Sequence, residues 1–249
     1  MKKLLTPKLL AGMVILLFSA QLLAQDKKIA FVSMYCDKKI GGTGLGTAAE
    51  SLINDPSFNL KPLMDKSYER FVKDFAKDFP FKLIDNAEIV GKEEYKTFES
   101  RWMQDTTKKI SKMYGNQFVT ANNMIFAYGD ILPFVKDENE DKCIMAGIFN
   151  TADGVLFVSM DYEFESRLMG LGAGITAYLN MFLYDKKCDK VFRIREYAKS
   201  KGKVPAVAGI PVMDPKKIQP LCEDATDQLF EELQGKLGKI VKKSAKNLQ

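Results

Sequence analysis

The chain has 249 residues, 46% of them apolar, which is enough for one large or two small hydrophobic cores. Its 37 basic and 32 acidic side chains leave a net charge of +5. It contains no histidine, which excludes Ser-His-Asp and Cys-His catalysis in their usual forms and zinc sites built on imidazole.

The N-terminus reads as an export address. Lys2, Lys3 and Lys8 precede an apolar run, Leu9 to Phe18, and then a zone ending Gln21-Leu-Leu-Ala24-Gln25. Positive charge, an apolar stretch and a small residue at the cut occur in the order of a secretory signal. The run is shorter than the roughly 20 residues that a membrane-spanning helix needs. Residues 1–24 are therefore read as a cleaved signal peptide and 25–249 as a single α/β domain, periplasmic or secreted. A lipid anchor requires a cysteine at the cut, but the first cysteine is Cys36, so the sequence predicts that the protein is not a lipoprotein. The leader carries away three lysines and no acid, leaving 34 basic against 32 acidic residues. That balance argues against a nucleic-acid partner, and the Lys-rich stretch Lys236 to Lys246 suits the solvated C-terminal turns of a helix. No second apolar segment reaches spanning length, so no integral membrane segment is expected after cleavage.

Lys28 to Tyr35 is an almost unbroken apolar run, the pattern of a strand buried on both faces. A glycine-rich stretch, Gly41 to Gly46, leads into a helix-compatible segment ending at Asn54. Leu60, Met64, Tyr68, Phe71, Phe75 and Phe79 then recur at helical spacing, and Pro80 ends the helix. Phe81 to Ile84 predicts a short strand. A second helix is expected over Glu93 to Tyr114, with Phe98, Trp102, Ile110 and Met113 on its buried side. Residues 115–136 show no clear period. The acids from Asp137 to Asp141 open a short helix carrying Ile144, Met145, Ile148 and Phe149. Asp153-Gly154 turns into Val155 to Met160, the expected central strand. Ile175 to Tyr184, a polar turn at Asp185 to Asp189 and Lys190 to Ser200 form a hairpin. Pro205, Gly209, Pro211 and Pro215 punctuate a loop. Ile218, Leu221, Ala225, Leu229, Leu233, Leu237 and Ile240 draw one stripe along a long terminal helix. The fold class is thus α/β: a mixed sheet, parallel in its early strands and antiparallel in its late hairpin, packed by amphipathic helices.

Four cysteines, Cys36, Cys143, Cys188 and Cys222, in an exported chain allow two disulfides in any of three pairings, or buried free thiols. None forms Cys-x-x-Cys, and none has zinc spacing. Gly44-Leu-Gly46-Thr-Ala-Ala49 matches a dinucleotide loop in letters, but begins about eight residues beyond the strand rather than at its tip. No catalytic, cofactor-binding or metal-ligating residue is assigned. The surface-site candidates are Asp161, Glu163, Arg193 and Arg195. Asp161, Glu163 and Glu165 alternate along what reads as a strand end, about 6.5–7 Å apart by strand rise, a spacing compatible with glycoside hydrolysis or with a solvated strand end. Arg193 and Arg195 share a face and could pair with those acids across the sheet. Tyr162, Phe164, Tyr178, Phe182 and Tyr184 supply aromatic groups for packing or stacking.

Asp153-Gly-Val-Leu-Phe-Val, Ile175 to Asp185, Val191-Phe-Arg-Ile-Arg and the earlier Phe81-Lys-Leu-Ile-Asp, followed by the terminal amphipathic helix, resemble the α/β domain of three groups of envelope proteins. These are the curli-secretion component family, the penicillin-binding-protein activator lipoproteins and the amino-terminal domain of TolB. The resemblance spans most of residues 28–245, and it carries no functional residue across. It implies a non-enzymatic accessory or assembly role in the cell envelope and another envelope protein as partner. The alternatives are a carbohydrate-directed hydrolase using the 161–165 acids and a small-ligand carrier using the aromatic strand faces.

Overall fold

The structure is a computed structural model that describes residues 27–41, 52–101, 117–129, 139–167, 172–207 and 210–248. The expected signal peptide, the Gly44–Ala49 motif and Trp102, Ile110 and Met113 of the expected second helix lie outside the described residues.

The α/β class, the mixed sheet and the long C-terminal helix are as expected. The strands are β1 (Lys28–Asp37), β2 (Lys82–Leu83), β3 (Phe118–Thr120), β4 (Gly154–Arg167), β5 (Gly172–Asp185), β6 (Lys190–Lys199), β7 (Val204–Val207) and β8 (Ile210–Pro211). The helices are α1 (Lys61–Arg70), α2 (Asn86–Gly91), α3 (Glu93–Lys96), α4 (Asp141–Ile148), α5 (Pro215–Leu233) and α6 (Leu237–Asn247). β1 runs parallel to β2 and β4, and antiparallel to β3. β4, β5 and β6 form an antiparallel meander, with β7 beside the start of β5.

Alternation along the meander divides the sheet into two faces. On one face Leu156, Val158, Met160 and Tyr162 of β4 join Ile175, Ala177, Leu179, Met181 and Leu183 of β5 in the larger core. Helix α1, its π-helical continuation Phe71–Phe75 and helix α5 cover it. Helix α1 starts at a Pro-containing first turn, with Asn59 Oδ1 accepting from the Lys61 amide at 3.0 Å. Asp214 caps α5 by accepting from the Lys216 amide at 3.1 Å, just ahead of Pro215. The stripe Ile218, Leu221, Ala225, Leu229 and Leu233 is buried as its spacing predicts. On the other face Val155, Phe157, Phe182 and Tyr184 pack with Tyr95, Met145 and Phe149 from α3, α4 and the residue after α4.

Several local expectations are corrected. Within the described residues the second helix stops at Lys96, because the Thr97 hydroxyl donates back to the Glu93 carbonyl and Ser100 and Arg101 turn away to bond Asp141. A separate helix, α2, precedes it, capped by Asp85. Part of the unpatterned stretch is β3, and the expected Pro-rich loop contains the small β7–β8 hairpin. β4 continues to Arg167, so Asp161, Glu163 and Glu165 sit inside a strand rather than at its end. Of the four cysteines, Cys143 on α4 bonds Cys188 in the β5–β6 turn. Cys36 and Cys222 are buried free thiols, the alternative that the sequence left open, and burial raises the pKa of both. Among the described residues no helix is long and apolar enough to cross a membrane.

Leu229→Ala should lower stability by about 2–5 kcal/mol in urea unfolding, since Leu229 is fully buried between α5 and the sheet. Alkylation of the denatured mature protein should label two cysteines before reduction and four after, matching one bridge and two free thiols. Cys143→Ser should cost about 2–4 kcal/mol, given the 45-residue separation it closes.

Candidate functional site

Past Phe157 and Phe182 the second face becomes polar. Cross-strand partners share a face, so the pairing gives three rungs: Tyr35–Ser159–Asn180–Arg195, then Asp161–Tyr178–Tyr197, then Glu163–Thr176–Lys199. Phe182 opposite Arg193 lies on the apolar side of the first rung. Asp37 follows Tyr35 by two positions and joins the same face.

The register of β1 brings Tyr35 and Asp37 there. Ile29 and Phe31 point into the larger core, but so do Met34 and Cys36, because pairing with β4 slips between Phe31 and Ser33. A bulge inserts one residue and exchanges odd for even positions beyond it. Buried Ser33, beside the slip, donates to the Ile125 carbonyl at 3.0 Å and accepts from the Ala127 amide at 3.1 Å. Those bonds lead the 124–129 segment alongside the bulge and place Tyr128 and Gly129 at the wall of a pocket. A Cβ on Gly129 would stand 2.9 Å from Phe157 Cβ and 3.0 Å from Phe182 Cδ2, so the wall approaches the sheet as closely as only glycine permits.

This pocket has a volume of about 260 Å3. Asp37, Ser159, Asp161 and Asn180 supply its polar floor, Tyr35, Phe118 and Tyr128 one side, and Arg193 and Arg195 the other. Asn180 Nδ2 donates to Asp161 Oδ2 at 3.0 Å and to Ser159 Oγ at 3.4 Å. Asn180 Oδ1 is buried and has no hydrogen-bond partner among the described residues. Asp37 accepts from the Lys39 amide at 2.7 Å and from Gln117 Nε2 at 2.8 Å. Burial nevertheless dominates and raises the Asp37 carboxyl to about 6, with Asp161 pushing the same way. Burial also raises Asp161, partly offset by the Arg195 guanidinium and the Asn180 amide. Arg195 lies 4.6 Å above the Tyr178 ring and Arg193 5.2 Å above the Phe182 ring, so aromatic contacts hold both guanidiniums in place.

Asp161, Arg193 and Arg195 therefore converge, as the alternation suggested. Glu163 does not enter this pocket. It lines a neighbouring hollow with Glu165, Tyr178, Tyr197 and Lys199, and Glu165 pairs with Lys199. Tyr162 and Phe164 face the larger core, and Phe182 and Tyr184 the smaller, which leaves Tyr178 as the aromatic of that set on the polar face. Tyr35, Asp37, Ser159 and Asn180 escaped the sequence reading. The signal for Asn180 was present: Thr176, Tyr178 and Asn180 occupy the alternate positions of an otherwise apolar strand. No group of three metal-ligating side chains occurs among the described residues.

No protein-family model and no curated protein matches the chain. Among solved structures it is similar to a hypothetical protein of Chlamydia trachomatis, at 8% identity over 89% of this chain and 99% of that one, with a TM-score of 0.40. It is also similar to a lipoprotein of Neisseria meningitidis, at 10% identity over 70% of this chain and 83% of that one, with a TM-score of 0.31. At these values neither likeness carries an argument about function.

Because the folded Asp37 carboxyl titrates near 6 and the unfolded one near 4, the native state holds its proton more tightly. Its contribution to stability is greatest below pH 4 and is lost as pH rises from about 4 to 6. Asp37→Asn should remove that part of the slope in urea midpoints measured across this window.

Proposed function

We propose that this is an exported, non-enzymatic accessory protein of the cell envelope that binds another envelope component through the polar half of its central sheet. The observation that carries the reading is the pocket itself: its floor stands on paired strands and gathers Asp37, Ser159, Asp161 and Asn180 beside Arg193 and Arg195. A site on regular strands is held rigidly, which lowers the ordering cost of binding. The leader read from residues 1–24 supplies the address. The accessory role implied by the resemblance to curli-secretion, penicillin-binding-protein activator and TolB amino-terminal domains points the same way.

One feature favours binding over glycoside hydrolysis by the strand acids. They divide between two hollows, Asp161 in one and Glu163 and Glu165 in the other, so the carboxylate pair required from this strand is not gathered in one cleft.

Affinity capture from an envelope fraction tests the reading. The mature protein should retain one reproducible component. Arg195→Glu combined with Tyr197→Ala, on the polar face, should reduce its recovery at least about fivefold, the effect of losing roughly 1 kcal/mol. Lys239→Glu, at an exposed position of α6 across the sheet, should leave recovery unchanged. Equal recovery by the face variant, or repeated empty captures, would overturn the proposal.

A further inference from the structure

We propose that a lysine stripe on α6, formed by Lys239, Lys242, Lys243 and Lys246, docks the protein on an anionic lipid surface. The stripe is separate from the polar face of the sheet and does not rest on the binding reading given for that face.

The four lysines recur at i, i+3, i+4 and i+7, so they stand along one side of the helix. Ile240 and Ser244 are buried on the opposite side, Ile240 in the larger core, so the stripe points away from the sheet. Lys239, Lys242 and Lys246 are exposed and Lys243 is half-buried. No ammonium of the four has a hydrogen-bond or ion-pair partner among the described residues. Lys236, just before the helix, does pair, with Glu196 at 3.3 Å.

An ordinary solvated face of this protein is built differently. Lys61, Lys73, Lys96 and Lys217 each pair with an acid three or four residues away, Asp65, Glu69, Glu93 and Asp214. From Leu233 to Gln249 there are five lysines and no acid. The rest of the chain after the leader then holds 29 basic against 32 acidic residues, so positive charge is concentrated on this segment of a weakly acidic molecule. Such a distribution orients a protein on an anionic surface. Within α6, Lys239 with Lys243 and Lys242 with Lys246 are like charges four apart, which weaken a helix. The helix dipole favours Lys246 in the last turn but opposes Lys239 in the first. Negative charge from outside relieves both costs. The residue type selects its source. Protein interfaces are depleted in lysine and enriched in arginine and aromatic residues. The stripe has lysine alone, a point charge on a flexible stem that suits a diffuse layer of headgroups. The leader read from residues 1–24 directs the chain to a compartment bounded by lipid leaflets.

Vesicle flotation with the mature protein tests this. Vesicles of mixed phosphatidylcholine and phosphatidylglycerol should carry the wild type, and vesicles of phosphatidylcholine alone should not. Binding should weaken at least about tenfold between about 0.01 and 0.15 M salt, as the screening length falls from about 30 to 8 Å. Lys242→Gln should weaken it about fivefold, and Lys242→Gln with Lys246→Gln about twenty-five-fold. Lys96→Gln, at an exposed lysine of α3 across the sheet, should change it by less than about twofold. Capture of the envelope component is an independent readout: Lys239→Glu should leave it unchanged while weakening vesicle binding at least about fivefold. The proposal is overturned if the mixed vesicles do not bind, if phosphatidylcholine alone binds equally well, if Lys96→Gln weakens binding as much as Lys242→Gln, or if heparin or an acidic protein binds the stripe and the vesicles do not. Absent vesicle binding with capture intact would overturn this inference alone, whereas lost capture with vesicle binding intact would overturn only the reading of the polar face.

Discussion

Fourteen consecutive paired positions hold β4 to β5, and the two-residue period of that pairing constrains the rest of the molecule. Every second side chain of both strands must enter the larger core, and those positions are apolar almost without exception. What remains is a second face whose character the first does not dictate. Near Gly154 and Tyr184 that face is apolar and packs against Met145 and Phe149. Farther along it carries Ser159, Asp161, Asn180 and Tyr178. The same pairing that builds the core therefore aligns the candidate site, and slipping it by one residue would exchange the two faces.

β1 shows how a local irregularity serves that alignment. Its slip beside Ser33 is the step that lets Ile29 and Phe31 face one way and Tyr35 and Asp37 the other. Ser33 then anchors the 124–129 segment, and Tyr128 is tied on its far side to Asp141, whose carboxylate accepts the Tyr128 amide at 2.8 Å. Asp141 opens α4, and α4 is linked through Cys143 to the turn after β5. The pocket wall is thus connected to the sheet at both ends, once by hydrogen bonds and once by a covalent link. Buried Asp141 also accepts from Ser100 and the Arg101 amide, which offsets part of its desolvation, although burial still raises its carboxyl.

The electrostatics of the pocket follow from burial more than from ion pairing. Asp37 accepts two hydrogen bonds that favour its charged form, yet desolvation outweighs them and raises it to about 6. Asp161 has Arg195 and Asn180 in its favour and is raised all the same. Beside the pocket, Glu165 pairs with Lys199. The acids on this face of the sheet thus divide between buried carboxyls inside the pocket, Asp37 on β1 and Asp161 on β4, and an ion-paired one next to it.

How much of this was legible in the sequence depends on how local the signal was. The terminal stripe from Ile218 to Ile240 is a helical period that no strand could bury, so α5 could be placed before any contact was known. The late hairpin was equally readable, because its alternating positions flank a polar turn. The second helix was carried through residues 97–101 because apolar spacing after Lys96 continues in letters, while Thr97 and the Asp141 bonds interrupt it there in space. Cysteine pairing was open because three connectivities fit four residues, and only the placement of α4 beside the β5–β6 turn selects Cys143 with Cys188. β1 shows the limit most clearly, since a run apolar on both sides has no period to reveal a bulge. Composition and spacing therefore determined the class of fold, the buried stripe and the candidacy of Asp161, Arg193 and Arg195. Only the folded sheet decided that Tyr35, Asp37 and Asn180 join them, because that depends on strand register and on one inserted residue, which side-chain identities along a single strand do not encode.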